Sequence, residues 1–343
     1  MIGAFGYVPA ALLQNYNLFL VSIFVLACGL SVLETTCNPF VLSLGAQETS
    51  VRRLNFAQAF NPVGSIAGLF LAKYLILANL NPADLEARMA MPADELAAIR
   101  HTELFWICVP YIGLIFVAII LWLIFFKSKL NEKDARTAMT VPEAFKKLFS
   151  KPRYYCGVIT QFFYVGVQVA VWTWTIKYIM TTEHIVEHEA VDYFIISMVL
   201  FIIFRYVCVY LMKYFVPAKM MAVFAIAGIL CCFGTIYLPA SASIWCLIAI
   251  SGCMSLMFPT IYGIALRNLG PEVKFGAAGL IMAILGGAVV PPVMGWLVDT
   301  GALTFLISGF SIEEASIRTA YYFPIACFVI VLIYSLAFRN VKD

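Results

Sequence analysis

VLETTCNPF, Val32–Phe40, sits inside an apolar run that extends from about Leu18 to Leu44. A run of this length exceeds the ~20 residues that carry a helix across a bilayer. It therefore reads as a membrane span with a carboxylate, Glu34, near its middle. Asn38 follows four residues later, on the same helix face. Pro39 stands behind it, with no N–H to donate and a bias against helix at the residue before it. An ionisable residue at membrane depth is costly, and by default it marks function.

The rest of the chain makes the same kind of solvent necessary. Of its 343 residues, 63% are hydrophobic and 12% are charged, with a mean hydropathy of +0.94. The charged share is about half that of soluble domains. Lipid must be the solvent for so much apolar surface, so the bilayer is the first partner. The net charge of +3 leaves no basic face for a nucleic acid. The ten cysteines form no CxxC pair and fall in or beside apolar segments, so neither a zinc site nor a disulfide framework is expected. They read as small apolar packing residues.

Nine apolar segments are long enough to span, near 18–44, 54–79, 104–126, 154–180, 193–212, 220–238, 243–266, 276–298 and 320–338. Residues 2–12 would form a partial tenth. The opening MIGAFGYVPAALLQ has no positive region of a secretory leader and reads as the tail of a membrane helix. Lys and Arg set the orientation. Sixteen lie in one set of alternate loops: Arg52, Arg53, Lys127, Lys129, Lys133, Arg136, Lys146, Lys147, Lys151, Arg153, Lys213, Lys219, Arg267, Lys274, Arg339 and Lys342. The opposite loops hold only Arg88, Arg100 and Arg318. The sixteen-residue side, with the C-terminus, is expected to be cytoplasmic. The opposite loops are acidic and hold all three histidines, as a solvated charged face would.

The longest of the basic connections, residues 127–153, divides the chain. It reads as an amphipathic linker along the membrane surface. Three spans and a partial one precede it, in residues 1–126; six follow, in residues 154–343. That pattern predicts two six-helix halves, the front one lacking its first two and a half helices, with a substrate site near the midplane between them.

Several polar side chains inside the spans are candidates for such a site. RRLNFAQAFNPVGSIAG places Asn55, Gln58 and Asn61 three residues apart, an amide stripe that offers donors and acceptors to a ligand with many hydroxyls. Pro62 and the small residues Gly64, Ser65, Ala67 and Gly68 would permit close helix contact. TQFFYVGVQVAVWTW carries Gln161, Tyr164, Gln168 and Trp172 along one face. Flat rings against C–H faces and amides against hydroxyls suit a sugar. Trp174 reads instead as an interface anchor. Arg205 lies in its span towards the basic side, as a gate residue or a snorkelling one; Lys73 and Lys177 lie near span ends and can snorkel. No histidine, paired carboxylate or metal-ligand spacing lies at depth, so an embedded enzyme is not expected.

LETTCNPF, RRLNFAQAFNPVGSIAG, QFFYVGVQ, and FPTIYGIALRNLG with KFGAAGLIMAILGGAVVPPVMGWLVD together resemble the fucose–galactose–glucose proton symporters of the major facilitator superfamily, the L-fucose permeases above all. The resemblance covers nearly the whole chain. It implies an all-α integral membrane fold of twelve helices, here about nine full ones and a partial one. It implies proton-coupled uptake of L-fucose or a related hexose across the bacterial cytoplasmic membrane. No cofactor is expected; the sequence does not fix the oligomeric state, for which a monomer is the expectation. By the matching motifs, Glu34 is the acid that binds sugar and couples protons, with Asn38, Gln58 and Asn61 beside it. The family's other carboxylate lies in a first helix that this chain does not show. A drug or organic-solute transporter of the same fold, and an inactive fragment, are the alternatives.

Overall fold

The structure is a computed structural model that describes residues 1–81, 83, 88–89, 91–127 and 141–339. Residues 128–140 of the predicted linker lie outside the described residues, as do Lys342 and the acids Asp84 and Glu86. Among the described residues every regular element is helical. In chain order these are α1 (Ile2–Leu12), α2 (Tyr16–Ser43), α3 (Ser50–Gln58), α4 (Phe60–Leu71), α5 (Ala93–Lys127), α6 (Val141–Phe149), α7 (Pro152–Glu183) and α8 (Glu187–Leu211). Then come α9 (Pro217–Tyr237), α10 (Ala240–Met254), α11 (Met257–Leu266), α12 (Val273–Met282), α13 (Gly286–Thr300), α14 (Ile312–Thr319) and α15 (Tyr322–Ala337).

Nine helical stretches among the described residues are long and apolar enough to cross a membrane, and each matches one expected segment. The third begins at Ala93, eleven residues before the expected 104. The extra turns, ADELAAIRHTE, are rich in helix formers, and Asp94 and Glu95 oppose the positive end of the helix dipole.

Two spans break where proline removes a backbone donor. Pro62 cannot donate to Gln58, and the helix is interrupted at Ala59, whose N–H turns back to Phe56 at 3.1 Å. Pro259 cannot donate to Ser255, and the chain leaves the helix at Ser255 and Leu256. α2, by contrast, runs unbroken through Pro39, so the local break expected beside Glu34 does not occur.

The described chain falls into two compact units, Met1–Glu34 with Val63–Arg136, and Thr35–Pro62 with Thr137–Asp343. In the first, α1 lies against α5. Tyr7 stacks on Tyr111 with ring centroids 3.7 Å apart, and the Cys108 thiol meets the Tyr7 carbonyl at 3.3 Å. Gly3 lets α1 approach α2 so closely that a Cβ there would strike the Leu26 backbone. Arg88 and Glu103 pair at 2.5 Å.

In the second unit α7 is the central helix, packed by α8, α11, α13 and α15. Tyr164, Tyr178, Phe201, Met221, Ile261 and Phe328 form part of its buried core. A smaller cluster joins Leu54 of α3 and Leu148 of α6 to Tyr262 and Leu266 of α11. α6 is held at its other side by Lys147, 3.5 Å from Glu272. The Glu272 carboxyl lies below the usual carboxylate range, held there first by its own backbone amide, against the opposing effect of burial, and then by Lys151 and Lys147. Arg318 was expected in a solvated loop and is instead fully buried. It donates to the carbonyls of Thr235, Ile236 and Leu238 at 3.1, 3.3 and 2.9 Å and to Glu314 at 2.9 Å. Those carbonyls end α9 and have no helical donor of their own, so a cation caps both the oxygens and the dipole.

Candidate functional site

Glu34 is half-buried in α2 and makes no hydrogen bond or ion pair among the described residues. One turn on, Asn38 is buried and accepts a 2.7 Å hydrogen bond from Gln58 Nε2. The Asn38 amide nitrogen has no partner in the structure, which leaves donors for an incoming acceptor. These two amides are a pair from the predicted site that the fold brings into direct side-chain contact.

The amide stripe does not form one surface. Asn55 is fully buried and donates to the Val51 carbonyl at 2.9 Å and to Thr260 at 3.3 Å. Gln58 is half-buried, and Asn61 is exposed beyond the interruption at Ala59. The break made by Pro62 turns what would be one face into three environments.

The face on α7 divides in a similar way. Gln161 is fully buried, and neither of its amide atoms has a partner. Tyr164 is fully buried and donates to the Met254 carbonyl at 2.7 Å. That carbonyl ends α10 at the break before Pro259, so Tyr164 closes an open helix end. Gln168 and Trp172 are half-buried. Gln168 makes no hydrogen bond among the described residues. Trp172 donates through Nε1 to Ser251 Oγ at 3.2 Å, and Ser251 meets Ser197 at 2.7 Å. Its ring meets the Phe201 ring edge-on at 5.2 Å. Trp174 donates to the Pro291 carbonyl at 3.4 Å while the Lys177 ammonium lies 5.0 Å above its ring.

Arg205, inside α8, is buried and donates through Nη1 to the Gln58 carbonyl at 3.3 Å. This is the oxygen whose helical donor Pro62 lacks. The guanidinium lies 4.8 Å from the Phe201 ring centre. Elsewhere in the same unit, Gln47 bonds Asn268, and Val51 fits against Gly263, where a Cβ would come within 2.9 Å of the valine methyl.

Sequence reasoning missed Ser197, Ser251 and Thr260. Lone hydroxyls in helices bond their own carbonyls so readily that they carry no signal at the level of sequence. Only the facing helix distinguishes them. No group of three His, Cys, Asp or Glu among the described residues could hold a metal ion.

With this geometry established, comparisons place the chain among known proteins. The family profile described as Major Facilitator Superfamily matches residues 1–291. An L-fucose-proton symporter of Haemophilus influenzae is 40% identical over 340 residues, covering 97% of this chain and 77% of that protein. A glucose/galactose transporter of Brucella abortus is 28% identical over 337 residues, covering 98% of this chain and 75% of that protein. Among solved structures, the Major Facilitator Superfamily transporter FucP in the outward conformation is similar at a TM-score of 0.89 and 30% identity, over 99% of this chain and 80% of that one.

Proposed function

We propose that this chain, which belongs to the Major Facilitator Superfamily, is not an enzyme but a symporter that carries a hexose inward with a proton, L-fucose being the first candidate. The observation that carries the reading is Glu34: a half-buried carboxylate without a partner among the described residues, one helical turn from the Asn38–Gln58 amide pair. The relatives named for L-fucose or glucose and galactose give the substrate class.

The chemistry follows from the two states of one carboxyl. Protonated, Glu34 can donate to a sugar hydroxyl; ionised, it only accepts. A sugar that binds the protonated form better draws a proton with it, because a ligand shifts an equilibrium only through its differential affinity. Asn38, Gln58 and Asn61 would serve hydroxyls, and Gln168 and Trp172 would supply an amide and a flat ring. Gln161 and Tyr164 are buried in the present arrangement. They support the wall of the site, Tyr164 through Met254. Arg205, with Asn55–Thr260 and Val51–Gly263, would form a gate towards the side that the basic residues predict to be cytoplasmic. The halves 1–126 and 154–343, joined by 127–153, would alternate access, and the protein would act as a monomer in the bacterial cytoplasmic membrane.

The test is Glu34→Gln in proteoliposomes with labelled L-fucose and galactose. Accumulation driven by a pH gradient should fall to background, while sugar exchange without a gradient persists. Gradient-driven accumulation at the wild-type level would remove the coupling role. Competition by hydrophobic cations in place of hexoses would turn the reading towards an organic-solute transporter.

A further inference from the structure

Arg205 is 4% exposed and forms no ion pair among the described residues. A guanidinium in such a place is costly unless its donors are used. One of them is: Nη1 holds the Gln58 carbonyl at 3.3 Å. Nε has no partner. The availability of that carbonyl is written in the sequence, because Pro62 sits four residues after Gln58 and has no N–H.

The same side chain is engaged on its other side by rings. Its Cζ lies 4.8 Å from the Phe201 ring centre, and Phe201 meets Trp172 edge-on at 5.2 Å. The side chain of Gln58, for its part, reaches Asn38 at 2.7 Å. Direct contacts therefore run without a gap from Trp172 through Phe201, Arg205 and Gln58 to Asn38, one turn along α2 from Glu34. Few side chains other than arginine can occupy the middle position. Its flat cation can lie against a ring face while an N–H in its plane reaches a carbonyl.

We propose that Arg205 is a positioning residue that links occupancy beside Trp172 to the Asn38–Gln58 amide pair. It rests on the sugar–proton reading of the site and adds a route by which that site senses its ligand. A sugar stacked on Trp172 fixes the ring, and with it Phe201 and the cation lying on Phe201. The cation fixes the Gln58 carbonyl, and Gln58 in turn holds Asn38 beside the coupling carboxyl. Arg205 touches neither sugar nor proton in this scheme.

The full chain in proteoliposomes tests it, as wild type, Arg205→Gln, Arg205→Lys and Lys213→Gln. The last removes an exposed cation from the turn just after the same helix. Arg205→Gln should lower the maximal rate of gradient-driven L-fucose uptake about tenfold while leaving KM within about threefold. Arg205→Lys should restore part of the rate, and Lys213→Gln should behave as wild type. A second measurement needs no sugar: hydrogen exchange in residues 35–62 should quicken about fivefold in Arg205→Gln, with residues 217–254 unchanged. An unaltered uptake rate in Arg205→Gln, no quickening at 35–62, or equal quickening across all the rear spans would each overturn the proposal. If wild type takes up no hexose but residues 35–62 quicken alone, the sugar reading fails and the link from Arg205 to Asn38 stands.

Discussion

Gly286 and Gly68 both lie in membrane spans, and their surroundings are opposite. A Cβ at Gly286 would overlap the Phe162 carbonyl of the helix it crosses. A Cβ at Gly68, or at Gly64, would meet nothing within 4 Å. The same contrast runs through the two ends of the chain. In the three front spans 6% of the central apolar window is buried, against 33–78% in the six rear spans. Small residues permit close approach; they do not compel it. A small-residue pattern such as GSIAG, which would permit helix contact, meets no crossing helix at its glycines among the described residues, whereas GGAVV does.

Four substitutions can break or sharpen that contrast, each read as thermal unfolding of the detergent-solubilised chain. The largest effect is expected at Gly286→Leu, where the obstacle is backbone and cannot turn aside; a loss of about 4 kcal/mol, or no monodisperse protein at all, is expected. Arg318→Met comes next. It leaves the carbonyls of Ile236 and Leu238 without their side-chain donor, and that of Thr235 with the Tyr178 hydroxyl alone, at a cost of about 3 kcal/mol. Tyr164→Phe removes the donor to Met254 and should cost about 1 kcal/mol. Sugar affinity should survive it, and a loss of affinity without a loss of stability would return Tyr164 to the binding surface. Gly68→Leu should change stability by less than about 0.5 kcal/mol. A change as large as that at Gly286 would show that the front spans are packed as tightly as the rear ones.

Much of the architecture was legible because lipid imposes a simple rule. Every backbone group in a span must be bonded within the span, so hydrophobic length maps onto helix almost directly. The polar residues within spans were legible for the same reason, as exceptions. What the chain alone did not show was the setting of each exception. Pro39 and Pro62 look alike in sequence, yet α2 passes through the first and the helix breaks before the second. At Pro62 the Arg205 guanidinium takes up the carbonyl that the proline leaves open. Gln161 and Gln168 are seven residues apart on one helix, yet one is sealed in the core and the other remains available. Arg318 reads as a loop cation and serves as a buried cap, because the end of α9 is more than eighty residues away in sequence and adjacent in space.

The sequence by itself determined that the chain lives in a bilayer and roughly where the nine spans among the described residues lie, and it singled out Glu34 as the carboxylate expected at depth. These follow from the cost of moving polar groups into lipid, which is a property of each segment alone. The tertiary structure alone decided which amides meet, which tyrosine closes a helix end, and what the buried arginines hold. Those outcomes depend on hydrogen bonds whose donor and acceptor come from different helices, and no local pattern encodes the partner.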